Sequence, residues 1–598
     1  MTDNRAEIPA KYKWDLTKIY PDMAAFDADY AKAKDIIDRF PAHEKTMCES
    51  AEGLLAMLKD DLAVERLISK LFQFAHLSSD LDKSDNTYLA LMGRMINLAN
   101  TAGAASYFVS PALVRLDEDT LNGWYESCPE LLSFKRSIEG TRRYKPYKLS
   151  DENERLMANM QSALGSHSEI RSIFANADLD HGCIKDENGK KVRLTDATYG
   201  TYLMSSDRRV RRAAFKKMYE TIGQYGNTFA ALTNAYVKER VALARVRGYE
   251  SSLQASVFRD EVTPAIYNNL IDTVNENLDV LYDYYDLKKE VLGLSQYHLY
   301  DVYTPLIGSC TKEYEFDEAV EEVLSAVSIL GDEYKKALES GIKEHSWCDV
   351  YPTRGKASGA YSSGSYDTQP YMLLNYTGKL DDVSTLAHEA GHSMHTYFSC
   401  KNNEPQNSQY TIFVAEVAST VNELLFSHKK LRESDSNEEK LAILNQIMET
   451  YKGTLYRQTM FAEFEKFMHE SVEAGETLTQ QLLSTKYYEI VERYFGKNVV
   501  CDKEIALEWM RIPHFYRWFY VYKYATCISA ASSIVKRIET EGEPYIKKYL
   551  EFLSVGGSKS PLDSLLVADI DMTKPEVIRD AIADFKATIA QFREIYNK

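Results

Sequence analysis

Leu386-Ala-His388-Glu389-Ala-Gly-His392-Ser-Met-His395 constrains the chain more than any other stretch. Two histidines four residues apart lie within about 40° of each other on an α-helix, so both imidazoles can reach one metal ion from the same face. Glu389 then stands beside that ion, where a general base would be. Asp382 or Ser384 is placed to cap the helix, and Val383, Leu386, Ala390, Met394 and Tyr397 recur at helical spacing as a packing face. His-Glu-x-x-His arises by chance in roughly one chain in fifty of this size and composition, so the motif needs a third ligand to carry weight.

A catalytic zinc site takes three protein ligands and keeps one position open. The extended motif with a glycine three residues after the second histidine and another histidine three beyond it is excluded, because those positions hold His395 and Phe398. Between 393 and 430 the carboxylates are Glu404, Glu416 and Glu423. Glu404 sits in a polar turn, Lys-Asn-Asn-Glu-Pro-Gln-Asn, and needs no partner. Glu416 interrupts an apolar helical run, Tyr410-Thr-Ile-Phe-Val-Ala-Glu416-Val-Ala, where a charge is costly unless paired or bound to metal. It is therefore the expected third ligand. Glu423 shares its helical face and could orient a ligand histidine, although a surface charge is the simpler reading. His395 is read as a packed neighbour, outside the ligand set.

The rest of the chain reads as mainly helical. Proline is scarce, 15 in 598 residues, and segments rich in Ala, Leu, Glu and Lys predominate. After an irregular arm over 1–22, a helix is expected from Ala24 to Phe40, then a bundle or hairpin stack to about 175, where apolar residues recur at three and four. Asn188-Gly189 between β-prone runs marks a hairpin, and a soft boundary falls at about 200. This gives an N-terminal helical domain, 1–200, and a domain carrying the histidine helix, 201–598. The basic stretch Asp207 to Lys217 is taken as a solvated helix face. Long helices are expected over 211–247, 264–291 and around 318–340. From Trp347 to Gly378, short aromatic and branched runs between glycines predict a small sheet just before the histidine helix. Ser358 to Ser365 or Tyr371 to Tyr376 could present an edge on which an extended peptide pairs.

A net charge of −18 argues against a nucleic-acid partner. The start has no apolar stretch of leader length, and nowhere do about 18 uncharged apolar residues run together, so a cytoplasmic protein with no membrane association is expected. Eight cysteines (Cys48, Cys128, Cys183, Cys310, Cys348, Cys400, Cys501 and Cys527) form no C-x-x-C pair, and read as reduced thiols. Far downstream, Pro513-His514-Phe-Tyr516-Arg-Trp-Phe-Tyr520-Val-Tyr522-Lys-Tyr524 concentrates groups able to donate to an oxyanion, with aromatic core packing as the plainer alternative.

Taken together, His388-Glu-Ala-Gly-His392, Phe413-Val-Ala-Glu416-Val-Ala-Ser-Thr, Ser358-Gly-Ala-Tyr-Ser, the run from His514, and the opening Ile8-Pro-Ala-Lys-Tyr-Lys-Trp-Asp-Leu resemble the oligoendopeptidase F family, within the thimet oligopeptidase group of zinc metallopeptidases. The likeness spans essentially the whole chain. It implies a large helical zincin-type body split by a deep substrate channel, with 1–200 forming one wall, one Zn2+ per chain, and cytoplasmic cleavage of short unstructured peptides with no obligate protein partner. It also implies that Glu416 is the third ligand and that His514 with a following tyrosine contacts the substrate or oxyanion. Tyr516, Tyr520 and Tyr524 are the candidates, and Tyr524 is preferred. The expected catalytic set is Glu389, His514 and Tyr524.

Three other readings compete. A peptidyl-dipeptidase of the same family would need a cation for the substrate carboxylate, which the sequence cannot place. A di-iron helical protein would need a second E-x-x-H, and no other histidine has Glu three residues before it. A peptide-binding protein with a lapsed site is disfavoured by the intact Glu389.

Overall fold

The computed structural model describes residues 4–160, 164–308 and 312–598, so Cys310 lies outside the described residues. The fold is mainly α, with three small sheets among the described residues. No described helix is long and apolar enough to cross a membrane. Seven described cysteines are free thiols. The chain divides into two compact units, each assembled from separated stretches.

The first unit comprises Met1–Pro146, Thr311–Lys430 and Ile534–Ile570. Its N-terminal part is built on a 31-residue helix, Ala51–Leu81, packed against the helices Met23–Ile37 and Asn86–Ala105. Ser50 caps the long helix by accepting the Gly53 N–H, and Asp22 caps the first by accepting that of Ala25. Phe26, Leu54, Leu71, Ala75 and Met95 are buried in a core that also takes in Tyr371 and Leu373, so the helices pack directly on the sheet.

That sheet is where the sequence placed it, directly before the histidine helix. Its strands lie in the order Cys348–Asp349, Tyr371–Leu373, Tyr361–Ser363, the first pair parallel and the second antiparallel. Tyr371–Leu373 is therefore the central strand and cannot offer an edge, while Tyr361–Ser363 has one side open among the described residues. The arm over 1–22 is more ordered than its composition implies, because it anchors the sheet. Arg5 and Lys356, whose side chain is enclosed, both hold the buried Asp349 carboxylate, at 2.9 and 2.8 Å, and Trp14 Nε1 donates to the Trp347 carbonyl at 2.9 Å. Burial pushes the Asp349 carboxyl up, but the two cations outweigh it and hold it below the usual carboxylate range.

The second unit comprises Tyr147–Cys310, Leu431–Ser533 and Asp571–Lys598. The expected hairpin pairs Cys183–Lys185 with Lys191–Arg193, turning at Gly189 with φ +77°. The expected long helices are broken: Arg208–Gly223 stops before Gly226–Val246, and Pro264–Glu276 before Leu278–Val291. In the first unit Phe316–Ala326 and Asp332–Lys343 divide likewise, at Gly331 with φ +98°. The basic stretch is not wholly a solvated face. Arg208 and Arg211, one turn apart, both grip the fully buried Asp301 at 2.8 Å, and Arg211 also donates to the carbonyls of Ser205 and Ser206. A pair ninety residues apart in sequence left no local signal.

Candidate metal centre

The histidine helix runs from Leu380 to Asn402. It starts earlier than a cap at Asp382 or Ser384 allows, because Asp382 acts from inside the first turn, accepting the N–H groups of Thr377 and Lys379 at 2.9 and 3.0 Å. Val383, Leu386, Ala390 and Met394 are fully buried as expected, and Tyr397 is half-buried. Ser393 and Ser399 are also fully buried, so the helix is enclosed on more than one face.

The next helix, Ile412–Glu433, carries Glu416 and packs through Phe413, Val417, Ala418 and Val421. The two helices cross at Gly391. A Cβ there would stand 2.5 Å from the Ala418 carbonyl oxygen and 2.6 Å from Ser419 Cα. The glycine just before His392 thus sets how near the second helix can come.

This crossing brings the expected ligands together. Glu416 Oε2 lies 3.3 Å from His388 Nε2 and 3.5 Å from His392 Nε2, and the three donor atoms all fall within 4.8 Å of one another. Tetrahedral zinc with nitrogen and oxygen ligands at about 2.0–2.1 Å spaces them about 3.3–3.4 Å apart, so this donor set and these separations fit a zinc ion. Burial pushes the Glu416 carboxyl up, but hydrogen bonds from both histidines hold it well below the usual range. Ser419 Oγ also donates to Glu416 Oε2, at 3.3 Å.

Glu423 is not a surface charge. Its Oε2 lies 3.2 Å from His388 Nδ1, and Ser384 Oγ donates to Oε1 at 3.4 Å. A carboxylate there fixes the ring and leaves Nε2 as the free donor atom. The close crossing of the two helices, which residue spacing along the chain does not encode, is what brings Glu423 to His388.

Glu389 is 6% exposed, and its Oε2 has no hydrogen-bond partner. Burial pushes its carboxyl above the ordinary range and Glu416 adds to this, while His388, His392 and the Ser362 backbone N–H oppose it. A buried carboxylate oxygen with no hydrogen-bond partner, beside three converging donor atoms, is suited to taking a proton. His395 is not in the ligand set. Its ring stacks on Tyr410 at 3.7 Å, and burial pushes its pKa down to about 3.

His514 and Tyr524 belong to the second unit, where the structure brings them to each other. His514 lies in the turn Pro513–Tyr516, and its ring meets that of Tyr524 edge-on at 6.1 Å. Burial, Arg517 and Arg171 lower its pKa. The Tyr516 hydroxyl is engaged with Thr233 Oγ1 at 3.0 Å, and Tyr520 packs on Tyr524 at 5.4 Å.

Contacts that sequence reasoning missed come from the long helix Ala51–Leu81. Asp80 accepts the Tyr361 hydroxyl at 2.6 Å, and the Gln73 side-chain oxygen accepts that of Ser363 at 2.9 Å, so this helix sets the strand beside the metal centre. The signal in the sequence was weak: Asp80 follows Ser78 and Ser79 and precedes Leu81-Asp82-Lys83, so it does not interrupt an apolar run as Glu416 does.

Comparison with known proteins agrees with this geometry. The model of Peptidase family M3 matches residues 201–584, and that of Oligopeptidase F matches 113–180. The chain is 38% identical over 596 residues to Oligopeptidase PepF of Bacillus subtilis, covering 100% of this chain and 89% of the relative. It is 36% identical over 599 residues to an Oligoendopeptidase F homolog of Borreliella burgdorferi, covering 99% of this chain and 100% of that one. The crystal structure of oligoendopeptidase-F from Enterococcus faecium superposes with a TM-score of 0.75 at 32% identity, over 96% of this chain and 99% of that one. A helix pair built to converge two histidines and a glutamate, in a chain matched end to end by such relatives, makes this protein a member of peptidase family M3, in its oligoendopeptidase F group of metallopeptidases.

Proposed function

We propose that this chain is a zinc-dependent endopeptidase of the cytoplasm that hydrolyses internal bonds of short, unstructured oligopeptides, with Glu389 as general base. The observation that carries the reading is the buried, unpartnered Glu389 Oε2 beside the three converging ligand atoms. His388, His392 and Glu416 would hold the ion, and Glu423 orients His388 through Nδ1. A zinc ion held there supplies a Lewis acid and lowers the pKa of a water towards about 7.

Glu389 accepts the proton of the attacking water at Oε2 and returns it to the leaving amine as the peptide bond breaks. Its raised pKa makes it the stronger base for the first half of that exchange. The substrate pairs as an extended strand on the open side of Tyr361–Ser363, whose Ser362 N–H already lies against Glu389. His514 and Tyr524 are proposed as donors to the developing oxyanion. Their support is the family resemblance and their mutual contact, and losing one such donor costs roughly 10²–10³ in kcat. The cytoplasmic assignment draws on the acidic composition and the lack of a cysteine framework.

The test is hydrolysis of an internally quenched peptide. Chelation should abolish turnover and zinc restore it, while Glu389→Gln should keep zinc and peptide but lose roughly 10²–10⁴ in kcat. Near-wild-type turnover by that variant would sink the assignment. A peptide amidated at its C-terminus should still be cut, which a C-terminal dipeptidase would not do.

A further inference from the structure

The strand Tyr361–Ser363 shows two different faces. Ser362 Oγ meets Ser393 Oγ of the histidine helix at 2.8 Å, whereas the side chains of Tyr361 and Ser363 reach Asp80 and Gln73 on the helix Ala51–Leu81. Chemistry and strand support therefore lie on opposite sides of one strand.

On the Tyr361 side the helix continues as a ladder of rings. His76 packs on Tyr361 with centroids 5.5 Å apart and planes 33° apart, and Phe72, one turn back, stacks on His76 at 5.7 Å and 14°. Exposure grows along it: Tyr361 is half-buried, the His76 side chain is 32% exposed and Phe72 is 41% exposed. His76 is held from below by Asp80, its Nε2 3.4 Å from Oδ2. The outermost rings are thus fixed in orientation and open to an occupant, at the end of a ladder that starts on the strand with the open edge.

We propose that the Phe72–His76 ladder is a binding subsite for an apolar or aromatic side chain of the peptide substrate. The inference rests on the strand-pairing part of the function proposed above. A peptide added to the Tyr361–Ser363 edge continues the pleat, so every second residue projects on the Tyr361 side towards the ladder, and the residues between project towards the histidine helix. Selectivity for the ladder then falls on one residue, or on two residues two apart, and skips its immediate neighbour. An aromatic or branched side chain on stacked rings gains about as much as other aromatic pairs, enough for a roughly 3–10-fold preference over alanine.

The experiment is a scan of internally quenched peptides in which phenylalanine replaces alanine at each position in turn. The ratio of kcat/KM for the Phe and Ala peptides is measured for wild type, Phe72→Ala, Phe72→Leu and His76→Ala. Wild type should show the preference at one position or at alternate ones. Phe72→Ala and His76→Ala should remove most of it there, and Phe72→Leu should keep part of it. A ratio unchanged in Phe72→Ala at every position would overturn the subsite, as would an equal loss on every peptide, which would mean that the ladder only props the strand. Glu389→Gln run on the same peptides separates the two layers, since its turnover at wild-type level would sink the peptidase reading instead.

Discussion

Gly391→Ala should weaken zinc binding, although local reasoning points the other way. In a helix interior alanine is favoured over glycine by about 1 kcal/mol, so a position known only as mid-helix would be expected to gain stability. Here the new Cβ meets backbone, 2.5 Å from Ala418 O and 2.6 Å from Ser419 Cα. Ordinary contact is roughly 3.5 Å, so the helices must separate by about 1 Å at the crossing. Overpacking of this kind costs roughly 1–3 kcal/mol, which cancels or exceeds the propensity gain. The larger consequence is geometric. Ala418 and Ser419 lie two and three residues beyond Glu416, and the crossing sets the 3.3 and 3.5 Å separations of Glu416 from the two histidines. Metal–ligand distances tolerate shifts of only about 0.2 Å, so a displacement several times larger removes one ligand of three. Competition against a chromophoric chelator should show zinc affinity at least about 100-fold weaker, with a melting temperature of the zinc-free protein close to wild type or modestly lower. Wild-type zinc affinity in Gly391→Ala would refute the argument that this close approach builds the site.

Two further perturbations test neighbouring parts of the structure. Glu423→Gln should weaken zinc binding roughly 10–100-fold while leaving the three ligands in place, read by the same competition assay. Glu465 tests a pH effect remote from the metal. It is fully buried, its Oε1 accepts the Phe519 N–H at 2.6 Å, and burial pushes its pKa from 4.5 up to about 8. Between those values the folded chain keeps a proton that the unfolded chain gives up, so its contribution to stability is fully present below about pH 4.5 and is lost as pH rises towards about 8. Denaturant unfolding from pH 5 to 8 should show Glu465→Gln with a flatter decline than wild type; parallel curves would contradict the assignment.

Where the sequence was legible, the reason was the cost of burying charge. Glu416 stood out because an ionised group in an apolar helical repeat must have a partner, and the structure supplies His388 and His392. The histidine helix was legible from its 3.6-residue periodicity and the small sheet from short aromatic and branched runs between glycines, both local properties. The strand order was not. Which strand is central depends on Cys348–Asp349 pairing beside Tyr371–Leu373, and that pairing is held by Arg5 and Lys356 on Asp349. Arg208 and Arg211 sit on the same face at i and i+3, which the pattern showed, but the carboxylate that draws them inward is Asp301, far along the chain.

The same physics explains why Glu416 stands out in the sequence while Glu423 reads more simply as a surface charge and Asp80 is not singled out. All three are carboxylates on helices, but Glu423 lies mid-helix directly after Asn422, and Asp80 lies in Ser78-Ser79-Asp80, where polar neighbours lower the apparent cost of a charge. Their partners, His388 and Tyr361, come from elements brought close by packing and not by sequence distance. A carboxylate's surroundings along the chain thus report its burial only when both flanks are apolar. A carboxylate with mixed flanks therefore raises the same question about its partner as one in an apolar run, and in this chain the answer is His388 for Glu423 and Tyr361 for Asp80.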